Sequence, residues 1–355
     1  MRDLSKIKYL DSASTTRVDD RVKKAMDPYF SDIFGNASSN HEFGKQARNA
    51  VERARGQVAR IINAEPSEII FTSGATESIN LAIKGYTEAN AHRGNHIITV
   101  KTEHKAVLST CEYLESKGLD VTYLKVDENG LIDLDDLRKA IKESTLLIVI
   151  MYVNNEIGII QPIEEIGKIA QKHNVIFFCD ATQAVGKVPV DVLADRIDML
   201  CFSAHKLRGP KGVGILYRKE GLQLTPLIHG GGQENGLRGG TYNTPLIVGM
   251  GKACEIANSE RIQRVQSIEL RRKFIEDFYE NNKLGQVNFK EVKRAPHILS
   301  ISLRNKDAAE FLISNSQKFV ASTGSACSSA LMEDSHVLNS IPNFNVKSTF
   351  RISIA

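Results

Sequence analysis

The chain has 355 residues, 42% hydrophobic and 25% charged, with 46 Lys and Arg against 42 Asp and Glu for a formal charge of +4. That length suits two domains with ordinary cores. The mild, dispersed charge, with no arginine-rich arm and no zinc-finger spacing, disfavours a nucleic-acid-binding module. The N-terminus, MRDLSKIKYLDSASTT, lacks the apolar run of a secretion signal. No window approaches the roughly 18 consecutive apolar residues of a membrane span. Cys111, Cys179, Cys201, Cys254 and Cys327 are widely spaced without a CxxC pair, so neither a disulfide framework nor a metal site is expected, and the expected setting is the reducing cytoplasm.

In chain order, an amphipathic stretch at 45–63 predicts a helix, and EIIFTSG (68–74) predicts a strand entering a tight turn. HIITVKTEH (96–104), VTYLKV (121–126) and TLLIVIMYV (145–153) follow as further strands. IEEIGKIAQKHN (163–174) reads as a helix, and VIFFCDAT (175–182), DMLCFSAHK (198–206) and GVGILY (212–217) complete the strand set. Near-continuous apolar runs are what strands covered on both faces require. Their alternation with helices predicts an α/β domain with a mainly parallel central sheet. Beyond about residue 245 a long helical stretch (250–284) leads into HILSISL (297–303), AAEFLIS (308–314), KFVAS (318–322) and the final FRISIA. This predicts a smaller α+β domain. The division expected is 17–245 for the large domain, and 1–16 with 246–355 for the small one.

Polar residues cluster where the predicted strands end, the place where open α/β sheets bind ligands. In FTSGATES, Gly74 lets backbone approach a ligand, while Ala75 and Thr76 put amides at a helix N-terminus, an arrangement that suits a phosphate. His104 ends another strand, where an imidazole can stack on an aromatic cofactor and move protons. Asp180 ends an apolar strand, where a buried carboxylate needs a cation. The pyridinium nitrogen of pyridoxal 5'-phosphate (PLP) is one such cation, and Gln183 stands three residues on as a donor for the ring oxygen. Lys206 follows Ser203 and His205 at a strand end, placed to form a Schiff base with a carbonyl cofactor. Cys327 lies in VASTGSACSSAL, whose Ser, Thr, Gly and Ala predict a flexible, solvent-reachable loop and hence a reactive thiol. Each signal is weak read alone. Most lysines are solvated, a strand-end Asp often caps a helix, and a lone His is more often structural.

Together these segments resemble the class V aminotransferase-fold family of PLP enzymes, and within it the cysteine desulfurases of the NifS/IscS type. The matching blocks are YLDSASTT, FGNASSNHEFG, FTSGATESINLAIKG, TEHKAVL, VNNEIGIIQPI, CDATQAVGK, SAHKLRGPKGVG, HGGGQENGLRGGTYN, STGSACSS and FRIS, in the family's order over nearly the whole chain. The resemblance implies the aspartate aminotransferase-like PLP-dependent transferase fold and a homodimer. It implies that Lys206 carries PLP and shuttles protons, that Asp180 pairs with the pyridine nitrogen, and that Gln183 contacts the ring oxygen. His104 would stack over the ring as an acid and base. Ala75, Thr76, Ser203 and His205 would hold the phosphate, with Thr241 reaching the phosphate in the other subunit. Asn155 and Arg351 would hold the carboxylate of L-cysteine, for which a planar guanidinium fork is suited. Cys327 would take the sulfur as a persulfide, leaving alanine, on a loop of the longer type found in one subgroup.

Acceptors implied are an iron–sulfur scaffold, a tRNA-thiolation protein or a DNA-phosphorothioation protein, with GNASSNHEFG and LDSASTTRVD leaning toward the last. Arg17 stands where many such proteins have Pro. Their sequences usually continue with further helix after FRIS, whereas this one stops at Ala355. The alternatives are another PLP lyase or aminotransferase of the same fold, such as a selenocysteine lyase, or a non-catalytic binding subunit. Cys327 argues against the first, and the joint presence of Lys206, His104, Asp180 and Cys327 argues against the second.

Overall fold

A two-residue strand, Lys8–Tyr9 (β1), comes first in the computed structural model, which describes residues 4–324 and 335–355. The apolar runs then become Ile69–Thr72 (β2), His96–Val100 (β3), Asp120–Leu124 (β4), Thr145–Val149 (β5), Ile176–Asp180 (β6), Met199–Ser203 (β7) and Gly214–Arg218 (β8). They form one seven-stranded sheet in the order β2-β8-β7-β6-β5-β3-β4. Only β8 runs against its neighbours, so the carboxyl ends of the other six strands share one edge.

The sheet is central because helices cover both faces. Asp20–Met26 (α1), Pro28–Ser31 (α2) and Glu42–Ile61 (α3) precede it, and Ala75–Ala89 (α4), Lys105–Glu115 (α5), Leu134–Ala140 (α6) and Ile163–Lys172 (α7) lie between its strands. Strand side chains alternate between two cores, as a period of two demands. Ile98, Ile148, Phe177 and Leu200 face α3 and α7, while Ile97, Leu147, Phe178 and Met199 face α4 and α5.

Thr244–Asn281 (α8) starts six residues before the predicted helix. Asn243 accepts a hydrogen bond from the amide of Leu246 and Pro245 occupies the first turn, so the true cap lies upstream of the charged stretch. The first half of α8, through Ile247, Met250 and Cys254, packs on the large sheet, while Ile268 and Tyr279 belong to a separate core. That core is built on Gly285–Val287 (β9), Ile298–Leu303 (β10) and Thr349–Ser353 (β12), with β10 in the centre and both pairings antiparallel. Phe319–Val320 (β11) pairs in parallel with β1. Ala308–Asn315 (α9) and His336–Asn339 (α10) complete the described helices.

Residues 229–243 form a glycine-rich loop pinned by a buried ion pair. Arg55 of α3 donates to both oxygens of Glu234, at 2.8 and 3.0 Å, and to the carbonyl of Ile69 at 2.7 Å. Glu234 also accepts from the amide of Phe71, whose ring lies 4.8 Å from the Arg55 guanidinium. Both side chains are under 10% exposed. Removing one member of a buried pair strands the other charge. Glu234→Ala is therefore expected to lower unfolding free energy by about 3 kcal/mol in urea denaturation, more than Arg55→Met with Glu234→Leu together.

Candidate active site

The carboxyl ends of β2, β3, β5, β6 and β7 surround a cavity of about 510 Å³. Ala75, Thr76, His104, Asn155, Asp180, Gln183, Ser203, His205, Lys206 and Arg351 all line it. Thr241 is exposed and lines a separate pocket beside Arg238 and Tyr242, and Cys327 lies outside the described residues.

Lys206 ends a single 3₁₀ turn, Ala204–Lys206, that follows β7. Its Nζ donates to the carbonyls of Ala13 at 2.5 Å and Ser14 at 2.7 Å. Asp180, the last residue of β6, is 6% exposed. Its Oδ1 accepts from the amide of Thr182 at 2.9 Å and faces the Cys201 thiol at 3.7 Å. No lysine or arginine among the described residues forms an ion pair with it, so a buried carboxylate opens onto the cavity without a cation.

His104 caps α5, its Nδ1 accepting from the amide of Ala106 at 3.1 Å. That bond leaves the proton of a neutral ring on Nε2. Burial lowers its pKa; nearby Lys206 and His336 push the same way, while Asp180 opposes them. The preceding residue, Glu103, is fully buried and accepts from the amide of Met151. Burial first, then Asp180, raises its carboxyl well above the usual range, so it is held as the neutral acid.

The turn before α4 is shaped by two glycines. Gly74 precedes the helix, which has no side-chain cap, and a Cβ at Gly74 would meet only the Ser203 hydroxyl, at 3.9 Å. Gly214 of β8 lies beneath the turn, where a Cβ would come within 2.7 Å of the Gly74 backbone and 3.0 Å of the Ala75 nitrogen. His205 meets the Thr15 hydroxyl through Nδ1 at 3.1 Å. Burial, then Lys206, Lys211 and Lys187, lower its pKa to about 4 and keep it neutral.

Arg351 of β12 is 3% exposed and already engaged. It donates to the Asn155 carbonyl at 2.8 Å, to Ser14 Oγ at 2.9 Å and to Asp11 Oδ1 at 2.5 Å. Its Nε is buried without a hydrogen-bond partner among the described residues. Of Asn155, the backbone holds Arg351 while the residue lines the cavity.

Residues 8–355 match the family model Aminotransferase class-V. Over 336 residues, 94% of this chain and 83% of the relative, the chain is 50% identical to cysteine desulfurase IscS of Neisseria meningitidis serogroup C. The chain belongs to the cysteine desulfurases of the aminotransferase class-V family. Solved structures agree. One titled NifS-like protein superposes with a TM-score of 0.90 at 39% identity, covering 98% of this chain and 93% of the other. Another, titled SspA in complex with cysteine, gives a TM-score of 0.85 at 40% identity, covering 98% of each.

The cofactor of this desulfurase is PLP, and the cavity suits it. The uncompensated Asp180 carboxylate matches a pyridinium nitrogen. The α4 N-terminus, with Thr76, Ser203 and the cradle above Gly214, matches a phosphate. Lys206 places an amine on the same cavity wall. The sequence reading missed Asp11, Ser14 and Glu103. Asp11 and Ser14 lie in a run of small and hydroxyl residues whose only signal was its polarity, and nothing local marks an N-terminal strap as the partner of Arg351. Glu103 was overshadowed by its neighbour His104.

Gly214→Ala should force the α4 turn out of place, at a cost of about 1–3 kcal/mol typical of overpacking. PLP binding, followed by absorbance during titration of the apoprotein, is expected to weaken while the far-ultraviolet circular dichroism is kept.

Proposed function

We propose that this cysteine desulfurase works in the cytoplasm at the 510 Å³ cavity, with Lys206 anchoring PLP and Cys327 accepting sulfur. The observation that carries the reading is the convergence of Lys206, Asp180, His104 and Arg351 on that one cavity. Asp180 would face the ring nitrogen, Gln183 the ring oxygen, His104 the ring face, and Ala75, Thr76, Ser203 and His205 the phosphate. When bound, PLP supplies an electron sink that labilises the Cα proton and the carbon–sulfur bond of L-cysteine.

The protein's own groups do the rest. Arg351 and Asn155, which both line the cavity, hold the substrate carboxylate. Lys206 moves protons at the substrate Cα, and the two carbonyls of Ala13 and Ser14 hold its amine in place between transfers. The neutral His104, with Nε2 protonated, donates and recovers a proton near the substrate. The Cys327 thiolate attacks the substrate sulfur as the carbon–sulfur bond breaks, and alanine leaves. The resulting persulfide is then passed to a thiol on an acceptor protein, in iron–sulfur assembly, tRNA thiolation or DNA phosphorothioation. Among the described residues, no helix is long and apolar enough to cross a membrane.

A homodimer completes this reading. Thr241 is exposed and away from its own chain's cavity, on the loop pinned by Arg55 and Glu234. Phe30, Phe34 and Phe43 are each more than half exposed, and Phe34 and Phe43 touch with ring centroids 5.6 Å apart. An exposed aromatic cluster of this kind favours a protein interface.

With L-cysteine and a reductant, the PLP-loaded protein should form alanine and sulfide. Cys327→Ala should bind PLP but form little of either product, and Lys206→Ala should lose the covalent chromophore. A yellow protein that forms no alanine would sink the desulfurase assignment while keeping the cofactor. Light scattering is expected to give twice the chain mass. Mixing Lys206→Ala with Thr241→Ala subunits after dissociation should regenerate activity, because one site of each mixed dimer would then hold both wild-type residues. No recovery after confirmed subunit exchange would place Thr241 outside the partner's site.

A further inference from the structure

We propose that His297 is a positioning residue for the cofactor: it fixes the amide of Gln183 so that one amide N–H faces the cavity. The inference rests on the reading above that Gln183 contacts the ring oxygen. His297 is 1% exposed and immediately precedes β10. It is absent from the cavity wall, so it reaches the cofactor only through Gln183.

The ring Nε2 of His297 lies 3.2 Å from Gln183 Oε1. An amide oxygen only accepts, so the proton of the imidazole must sit on Nε2. Gln183 Nε2 in turn donates to the carbonyl of Ala13 at 2.9 Å, the same carbonyl that receives Lys206 Nζ at 2.5 Å. Rotating the amide by half a turn would set its oxygen against the Ala13 carbonyl, and a matching His297 tautomer would bury an N–H on Nδ1, which has no hydrogen-bond partner among the described residues. Both changes are unfavourable inside a buried site, so the amide has one orientation. In that orientation its second N–H is left for the cavity, which Gln183 lines.

The ring is held neutral, as a donor with a defined tautomer requires. Burial, then Lys187, Arg351 and Lys206, push its pKa well below the ordinary range. The backbone is fixed too, because the His297 carbonyl accepts from the amide of Ile354 at 3.0 Å. Strand β10 thus sets the polarity of a side chain that follows β6, and a single carbonyl, that of Ala13, joins this contact to the PLP lysine.

The test uses the full-length protein reconstituted with PLP, reading the absorption maximum at fixed pH and the PLP dissociation constant. His297→Leu should displace the maximum in the same direction as Gln183→Ala and weaken PLP binding about five-fold, the loss expected for one neutral hydrogen bond. His297→Gln, which retains an N–H donor, should recover part of both. The double variant should match Gln183→Ala alone, because the two residues act through one contact. An unchanged spectrum and affinity in His297→Leu, or losses that add in the double variant, would overturn the proposal. If Gln183→Ala itself leaves spectrum and affinity unchanged, the ring-oxygen reading fails first and takes the proposal with it.

Discussion

Two hydrogen bonds from Lys206 Nζ, to the carbonyls of Ala13 and Ser14, join points of the chain 193 and 192 residues apart. The strap that supplies those carbonyls is itself anchored on both sides. The amide of Ala13 donates to Ser353 Oγ, the side chain of Asp11 pairs with Arg351, and Thr16 holds the carbonyl of His205 through its amide and hydroxyl. The lysine turn after β7 and Arg351 of β12 therefore have their positions set by one short segment. An amine on a flexible stem is a poor catalyst unless something limits where it points, and here backbone carbonyls impose that limit.

The electrostatics of the site follow from burial more than from pairing. The Nζ of the half-buried Lys187 is itself buried without a hydrogen-bond partner among the described residues, and burial followed by Lys206 lowers its pKa to about 7. Burial keeps His104, His205 and His297 neutral and Glu103 protonated. Asp180 forms no ion pair with an arginine or lysine among the described residues, in a cavity where neighbouring imidazoles act as dipoles rather than as charges. Such a site concentrates its field on a bound cation, which is the arrangement that a pyridinium ring exploits.

Much of the large sheet was legible in the sequence because both-face burial leaves an unmistakable signature. Runs such as TLLIVIMYV and DMLCFSAHK are apolar along most of their length, and their strands end at Val149 and Ser203, where the parallel sheet opens its edge. The start of α8 was displaced by six residues because Asn243 and Pro245, not the charged stretch, decide where that helix begins. Four cysteines expected to act as small hydrophobes, Cys111, Cys179, Cys201 and Cys254, are buried.

Local sequence thus settles what lies within one strand and the turn after it, since periodicity and strand-end polarity are properties of neighbouring residues. Lys206, Asp180 and His104 are readable for that reason. Asp11 against Arg351, His297 against Gln183, and Arg55 against Glu234 span 340, 114 and 179 positions. No local pattern encodes such pairs. They exist because the central sheet, the N-terminal strap and β10 meet in three dimensions, and because a buried charge or amide must take whichever partner that packing brings within reach.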